Sequence, residues 1–336
     1  MRKLAICFNE NGKRIIEKIN TGSDKKGISP VEPFILSGST ETPEGFGQVK
    51  VSVAEWTSSV FLPENALIFV GAAGIAVRAL SGLPKDKLND CPVIVIDDGG
   101  RFVIPLLSGH AGGANKLAMI LADLLKAVPV ITTSTDVNGV FSADTFAIEN
   151  RLTIADPAGI KKVSVKALEG KKITLSIKDY PPEEEADIIV ADDTDREYSL
   201  LFAPKKYTVG IGMKKNMDRE AVERVFLRIL CENGIDVSEV YAICTIYLKE
   251  DEEALIFLRN KYRIPLFSFD SSLLKKVKGT FSSSEFVEKT VGVDNVCERA
   301  AMLGAGSGGK LILKKHSENG MTIAIAERGS IWGRFM

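Results

Sequence analysis

The sequence predicts an α/β protein: an N-terminal open α/β sheet region with a small middle lobe, followed by a separate C-terminal α/β domain. Three observations carry this. Short apolar runs alternate with stretches whose apolar residues recur at helical spacing, as in residues 3–8 followed by Ile15, Ile16 and Ile19. The chain has 336 residues, more than one hydrophobic core usually serves. The alternation also restarts after Pro204-Lys205-Lys206, the best linker candidate. The expected domains are residues 1–130, 131–204 and 205–336.

Residues 3–8 predict a first strand and 11–19 a helix. Residues 20–47, rich in Gly, Pro, Ser and Thr, read as a long loop with a short strand at 34–36. A buried strand at 66–70 runs into Gly71-Ala-Ala-Gly74 and a small-residue helix to Leu80. That order presents helix N–H groups to an anion, with Arg78 able to reach back to it; close helix–sheet packing explains the glycines equally well. Residues 93–96 predict another buried strand, 97–100 a hairpin-type turn, 101–104 a returning strand, 115–125 a helix and 128–132 a strand. The turns at 71–74 and 97–100 and the polar loop 132–139 then fall at carboxyl ends of strands, where open α/β sheets bind ligands.

Further on, 144–154 and 157–168 read as short helices, and 172–177 and 188–190 as strands. In the third part, 207–211 is a strand and Asp218 caps a helix whose core face is Val222, Val225, Phe226 and Ile229. Residues 241–247 and 265–269 are strands, 252–261 and 295–303 helices, 304–309 a turn, and 310–313 with 321–326 an antiparallel pair.

Composition excludes several classes. Lys+Arg is 43 against Asp+Glu 44, so no charge excess favours nucleic acid. No apolar run is long enough for a bilayer, and residues 4–8 are too short for a signal-peptide core, so the expected location is the cytoplasm. The five cysteines, Cys7, Cys91, Cys231, Cys244 and Cys297, are scattered with no Cys-x-x-Cys. With only His110 and His316 beside them, no protein-held metal is expected.

The stretch 94–118 concentrates the chemistry. It sets Asp97, Asp98, Arg101 and five glycines around His110, between a buried strand and an apolar helix. Two readings of His110 stay open: a backbone-bonded structural histidine, or a general acid/base or substrate contact. Ser108 lacks a Gly-x-Ser-x-Gly elbow and reads as a helix cap or a substrate donor rather than a nucleophile. Asp98-Gly99 reads as a turn; Asp97 either shares that turn or orients His110. Arg101, Lys116, Lys214, Lys215 and Arg299 lie near glycine turns and suit a polyanionic ligand, though each is also an ordinary surface charge. Glu298 reads as a surface or pairing residue, and Glu285 as a capping-box acid after Ser282.

The motifs Gly71-Ala-Ala-Gly-Ile-Ala-Val-Arg78, Asp97-Asp-Gly-Gly-Arg-Phe102, Leu107-Ser-Gly-His110, Gly112-Gly-Ala-Asn115 and Thr133-Ser-Thr-Asp-Val-Asn138 resemble the cobalt-precorrin-5A hydrolase (CbiG) family of anaerobic cobalamin biosynthesis. Val209-Gly-Ile-Gly212, Ser284-Glu-Phe-Val287 and residues 291–300 resemble its C-terminal domain. The resemblance runs in order from about residue 66 onward. It implies a cobalt-bearing, ring-contracted tetrapyrrole with acetate and propionate arms. The δ-lactone of that ring is opened with water, and acetaldehyde is released. Cobalt arrives inside the substrate, so no cofactor of the protein's own is expected. The partners implied are the corrinoid polycarboxylate and a neighbouring methyltransferase of the pathway.

On this reading His110, oriented by Asp97, activates water, while N–H groups of Gly112 and Gly113 hold the oxyanion. Gly71, Gly74, Arg78, Arg101, Ser108, Asn115, Lys116, Asp136 and Asn138 contact substrate, and Gly212, Lys214, Glu285 and Phe286 cover it from the third part. The chain departs from the family at Met213-Lys-Lys-Asn216, where Cys-Arg-Arg-Gly is frequent, which argues against a thiol there and removes a bidentate fork. Two rivals remain: a non-catalytic carrier of a corrinoid intermediate, and a nucleotide-using enzyme, for which the phosphate-loop and dinucleotide motifs are missing.

Overall fold

The structure, a computed structural model, describes residues 1–23, 27–36, 43–86, 90–110, 112–178 and 185–329. By its contacts the chain divides into two compact units, Met1–Phe146 with Ser164–Lys171, and Ala147–Val163 with Lys172–Met336.

In chain order the first unit carries β1 (Arg2–Cys7), α1 (Glu10–Ser23), β2 (Glu32–Leu36), β3 (Gly47–Val49), α2 (Val53–Val60), β4 (Asn65–Val70), α3 (Ala73–Ala79), β5 (Val93–Ile96), β6 (Phe102–Leu107), α4 (Ala114–Leu125), β7 (Val128–Pro129), α5 (Ser134–Val137) and the start of α6 (Ala143–Glu149). Its strands form one sheet in the order β3-β2-β1-β4-β5-β6-β7. The central strands are apolar throughout because both faces are covered. Leu4, Ile6, Leu67, Phe69, Val93 and Val95 pack with Trp56 of α2 and Ala76 of α3. The alternate residues Ala5, Ile68, Val70, Ile94 and Ile96 pack with Ile16 and Ile19 of α1 and Leu117 and Leu121 of α4.

Of the stretch expected as a loop at 20–47, the short strand expected at 34–36 is present as β2, while residues 20–23 continue α1 and β3 starts at Gly47. Helix α2, closed by a Ser52–Glu55 capping box, was not anticipated.

One pairing decides where the site falls. β1, β4 and β5 are parallel, but β6 is antiparallel to β5, with Val93 opposite Leu107 and Ile96 opposite Val103. β7 is parallel to β6. The chain therefore leaves β6 and β7 at the edge where β4 and β5 begin, opposite the 71–74 and 97–100 turns. The loop 132–139 is not at the carboxyl ends of the parallel strands as expected.

The second unit carries β8 (Leu152–Ile154), most of α7 (Pro157–Leu168, whose last turn belongs to the first unit), β9 (Leu175–Ile177), β10 (Glu185–Val190), β11 (Glu197–Pro204), β12 (Tyr207–Met213), α8 (Arg219–Glu232), β13 (Val240–Ile246), α9 (Glu253–Lys261), β14 (Leu266–Phe269), α10 (Ser271–Lys276), α11 (Glu285–Val291), α12 (Cys297–Ala305), β15 (Lys310–Glu318) and β16 (Met321–Glu327). These form a four-stranded sheet, β8-β11-β10-β9, and a five-stranded sheet, β14-β13-β12-β16-β15. The Asp218 cap is present, accepting from the Ala221 N–H at 2.8 Å, and Val222, Val225, Phe226 and Ile229 are buried. α12 lies so close on β12 that a Cβ on Gly210 would sit 1.8 Å from the Cys297 carbonyl oxygen, which explains that glycine by packing.

Three expectations change here. The helix expected over 144–154 stops at Glu149, and Arg151, in the left-handed region at φ +55°, turns the chain into β8. The expected linker is shortened to Lys205 and Lys206, because β11 runs to Pro204. The expected boundary at residue 204 also disappears: the small sheet is tied to the larger one by Thr153 Oγ1 donating to the Ser238 carbonyl and Arg151 to the Tyr241 hydroxyl, both at 2.8 Å. Residues 131–146 group instead with the first unit.

Candidate functional site

The end of β6 shapes the site. Ser108 adopts φ +54°, and its hydroxyl donates to the Asp90 carbonyl at 2.7 Å. It does not cap α4, whose cap position is Gly113 at φ 82° with no side-chain bond. The coil is tight enough that a Cβ on Gly112 would meet the Ser108 Cβ at 2.3 Å. The N–H groups of Gly113, Ala114 and Asn115 close back onto the His110, Ser108 and Gly109 carbonyls at 3.0–3.1 Å. The Gly113 N–H is therefore committed, which corrects its expected role in an oxyanion hole. Backbone closure of this kind leaves the His110 side chain turned toward the segment that follows β7.

There His110 meets acids on both ring nitrogens. Nε2 lies 2.7 Å from Asp136 Oδ2, and Nδ1 lies 3.3 Å from Asp144 Oδ1 and 3.1 Å from Ser142 Oγ. Ser142 Oγ in turn donates to Asp144 Oδ1 at 2.5 Å. Asn115 Nδ2 donates to the same Asp136 oxygen at 2.5 Å and to Thr133 Oγ1 at 3.0 Å, while Asn115 Oδ1 is buried with no partner among the described residues. Two short helices position the acids: Asp136 lies in α5 and Asp144 in the first turn of α6, where a carboxylate suits the helix dipole. Burial is graded, with side-chain exposure of 10% for His110, 14% for Asp144 and 40% for Asp136. Asp136 is thus the member of this His–Asp cluster most open to a ligand.

With an acceptor at each nitrogen, the ring is best satisfied as an imidazolium donating twice. The hydrogen bond to Asp144, working against burial and joined by Asp136, raises the His110 pKa above its ordinary value. Burial pushes the Asp144 carboxyl up, but hydrogen bonds from His110 and Ser142 outweigh it and hold the group far below the usual carboxylate range. The stabilising effect of the raised histidine is complete below its unfolded value near 6.5 and is lost as pH rises through the folded one. That of the depressed Asp144 is present above its unfolded value near 3.8 and is lost as pH falls through the folded one. The cluster therefore stabilises the fold most between those two values. Thermal melts should show the Tm gap between the native chain and His110→Gln to be larger at about pH 5.5 than at about pH 8.5; a gap that widened with pH would refute the imidazolium.

Asp97, expected to orient His110, does not. It accepts the N–H groups of Gly99, Arg101 and Phe102 at 3.2, 2.7 and 2.7 Å, organising the turn at the other sheet edge. Its carboxyl is lowered because these bonds outweigh the effect of burial. Asp98 accepts from Asn9 at 2.8 Å. Gly71 and Gly74 lie at that opposite edge too, and Arg78 folds back onto the Gly74 carbonyl at 3.2 Å within the seven-residue α3. Arg101 pairs with Asp97 at 3.4 Å and is largely exposed. These residues and the His110 cluster do not meet at one place. Lys116 is exposed on α4 beside Asn115. Asn138 Nδ2 bonds the Ser134 carbonyl at 2.8 Å and closes α5.

In the second unit, the Gly212 carbonyl accepts from Thr322 Oγ1 at 3.1 Å and a Cβ on Gly212 would meet that oxygen at 2.7 Å, so packing accounts for this glycine. Lys214 is exposed, its stem against Gly320. Glu285 opens α11 after the Ser284 cap; the side chains of Glu285 and Phe286 lie outside the described residues. Arg299, expected as an anion partner, pairs with Asp294 at 2.8 Å. Glu298 is fully buried rather than at the surface, accepting from the Ser282 and Lys315 N–H groups at 2.8 and 2.7 Å, Ser282 Oγ at 3.0 Å and Asn295 Nδ2 at 2.9 Å.

The sequence reading missed Ser142 and Asp144 as partners of His110. The available signal was Ser142-Ala143-Asp144 opening a helix, a serine and an acid in capping positions. Nothing in the spacing says that this helix start folds back onto residue 110. Among the described residues, no group of three or more His, Cys, Asp or Glu side chains is arranged to hold a metal ion, and no helix is long and apolar enough to cross a membrane.

Fold and site together define an α/β protein with a histidine held between two carboxylates. Two family models match it: the cobalamin synthesis G N-terminal model over residues 55–136 and the cobalamin synthesis G C-terminus model over residues 207–326. The chain is 35% identical over 308 residues to the cobalt-precorrin-5A hydrolase of Salmonella typhimurium, covering 84% of this chain and 87% of that one. It is 31% identical over 307 residues to the cobalt-precorrin-5A hydrolase of Priestia megaterium, covering 82% of each. A solved cobalamin biosynthesis protein G homologue from Sulfolobus solfataricus is 21% identical, covers 97% of both chains and has a TM-score of 0.38. The chain belongs to the cobalt-precorrin-5A hydrolase family.

Proposed function

We propose that the chain hydrolyses the δ-lactone of cobalt-precorrin-5A and releases acetaldehyde, giving cobalt-precorrin-5B in anaerobic cobalamin biosynthesis. The observation that carries this reading beyond family membership is the His110–Asp136–Asp144 cluster, which a carrier has no use for.

Water adds to the lactone carbonyl and the acyl–oxygen bond breaks. This leaves a carboxylate arm and a hydroxyl on the extruded carbon. That hydroxyl loses its proton, its carbon–carbon bond to the ring breaks, and acetaldehyde departs. The electron pair passes to the macrocycle, which takes up a proton. Asp136, the most exposed of the three, is the group that takes the proton from water. His110, charged and bonded to it, stabilises the carboxylate and returns a proton as the second bond breaks. Asp144 and Ser142 fix the ring; Asn115 fixes Asp136. Lys116, at the start of α4, is the cation placed to meet a carboxylate arm. Cobalt enters as part of the substrate, and a methyltransferase of the same pathway is the partner that takes the product.

The test is anaerobic incubation of the purified chain with cobalt-precorrin-5A, followed by detection of acetaldehyde with a coupled dehydrogenase. Release of one equivalent per substrate is expected. A chain that binds the corrinoid and frees no acetaldehyde would be a carrier.

A further inference from the structure

Gly109, Gly112 and Gly113 flank His110 in the turn between β6 and α4, and each is a glycine for a different reason. Gly113 sits in the left-handed region at φ +82°. Gly112 has backbone against it, since a Cβ there would lie 2.7 Å from the Ser108 carbonyl oxygen. Gly109 has neither constraint. Its φ lies outside the left-handed region, and the three atoms nearest to a Cβ built on it all belong to the Asn115 side-chain amide: Oδ1 at 2.8 Å, Nδ2 at 3.1 Å and Cγ at 3.2 Å.

That amide cannot give way without a consequence for the cluster. Its Nδ2 is committed to Asp136 Oδ2 at 2.5 Å and to Thr133 Oγ1 at 3.0 Å. Turning it over would aim Oδ1 at the Asp136 carboxylate, acceptor against acceptor. In the orientation it has, Oδ1 stays buried with no partner among the described residues, a cost set against the two bonds of Nδ2. The Asn115 backbone is fixed too, its N–H donating to the Gly109 carbonyl at 3.0 Å. A methyl group at 109 is therefore accommodated by rotating the amide, which swings Nδ2 off Asp136. The groups facing His110 are Asp136 and Thr135 from α5, and Ser142 and Asp144 at the start of α6. Of these, Asp136 is the one that Asn115 bonds, through the oxygen that lies 2.7 Å from His110 Nε2.

We propose that Gly109 is a positioning residue: by having no side chain it leaves the room from which the Asn115 amide holds Asp136 against His110. Its effect on rate rests on the hydrolase reading above; its effect on His110 rests on the geometry alone.

The test is a double-mutant cycle on the full chain with Gly109→Ala, Asn115→Ala and the two combined. Two quantities are measured: kcat for acetaldehyde release, and the pH titration of the His110 ring by NMR. The chain has two histidines, so His316→Gln assigns the signals. His316, 3.2 Å from Glu318 on β15, is the internal reference. Gly109→Ala is expected to lower kcat by about tenfold to 10²-fold with little change in KM and a melting curve close to native. The His110 titration should move to lower pH, because a carboxylate held less firmly against the ring supports its proton less. Asn115→Ala should show both effects. In the double variant the methyl group has no amide to displace, so neither effect should exceed that of Asn115→Ala alone. An unmoved His110 titration in Gly109→Ala overturns the proposal. Losses that multiply in the double variant overturn it too, since Gly109 would then act other than through Asn115. Should Gly109→Ala fail to fold, a folded double variant supports the proposal and an unfolded one overturns it. A shifted titration with a native rate, or a native chain that releases no acetaldehyde, keeps the role of Gly109 in placing Asp136 and sinks the catalytic reading of the cluster.

Discussion

Replacing His110 by alanine is expected to lower the kcat for acetaldehyde release by about 10²–10⁴-fold, the range for losing a positioned acid/base group. KM should move little, because the imidazole is nine-tenths buried behind Asp136 and carries little of the binding surface. A rate equal to that of the native chain would end the assignment. The substitution also strands Asp144, a buried carboxylate that has lost its counter-charge, so some loss of stability accompanies it. Asp136→Asn separates the two effects. It keeps the shape, removes the proposed base, and leaves His110 bonded to Asp144. A comparable fall in kcat with a nearly native melting curve is the expected outcome. The pH profile gives an independent reading: in the native chain, kcat should decline on the alkaline side as the imidazolium loses its proton, above the ordinary histidine range because Asp144 and Asp136 raise the pKa. In Asp136→Asn that decline should move toward lower pH.

Glu298→Gln is expected to be the most destabilising conservative change in the second unit, at about 3 kcal/mol. The carboxylate is fully buried on α12 and accepts four bonds, two of them from backbone N–H groups on different segments. Either orientation of a glutamine amide turns an NH₂ group toward one of those N–H donors, the Ser282 amide on one side or the Lys315 amide on the other. One donor is then left facing another donor where water does not reach. Denaturant titration of the native and variant chains measures the effect. A difference below about 1 kcal/mol would show that the network contributes little to stability. Acetaldehyde release at low temperature, where the variant stays folded, should be close to native.

Much of the fold was legible because its signals are local. Strands β1, β4 and β5 announce themselves as short apolar runs, and α8 by its Asp218 cap and the period of Val222, Val225, Phe226 and Ile229. Elements lacking either signal were overlooked or misjudged. α10 is short, β11 follows a segment read as an acidic turn and ends on the first residue of the expected linker, and β8 follows α6 without a glycine or proline to mark the break. His110, Asn115 and Asp136 were picked out from glycine-rich surroundings, but their chemistry was joined to the wrong acid. Asp97 is near His110 in sequence, and its oxygens are spent on the turn that it builds. Asp144 is 34 residues away from the histidine and reaches it only through the path of the chain.

The sequence alone determined the class of fold, the two apolar faces of its central sheet and the family, because periodicity and ordered motifs are properties of neighbouring residues. Tertiary structure decided which edge of the sheet holds the candidate site. That choice rests on the antiparallel pairing of β6 with β5, which carries the loop after β6 and the segment after β7 to the edge opposite Gly71 and Asp97. The tertiary structure also decided the hydrogen bonding of His110, since the two carboxylates that raise its pKa are brought to it by chain reversal rather than by spacing.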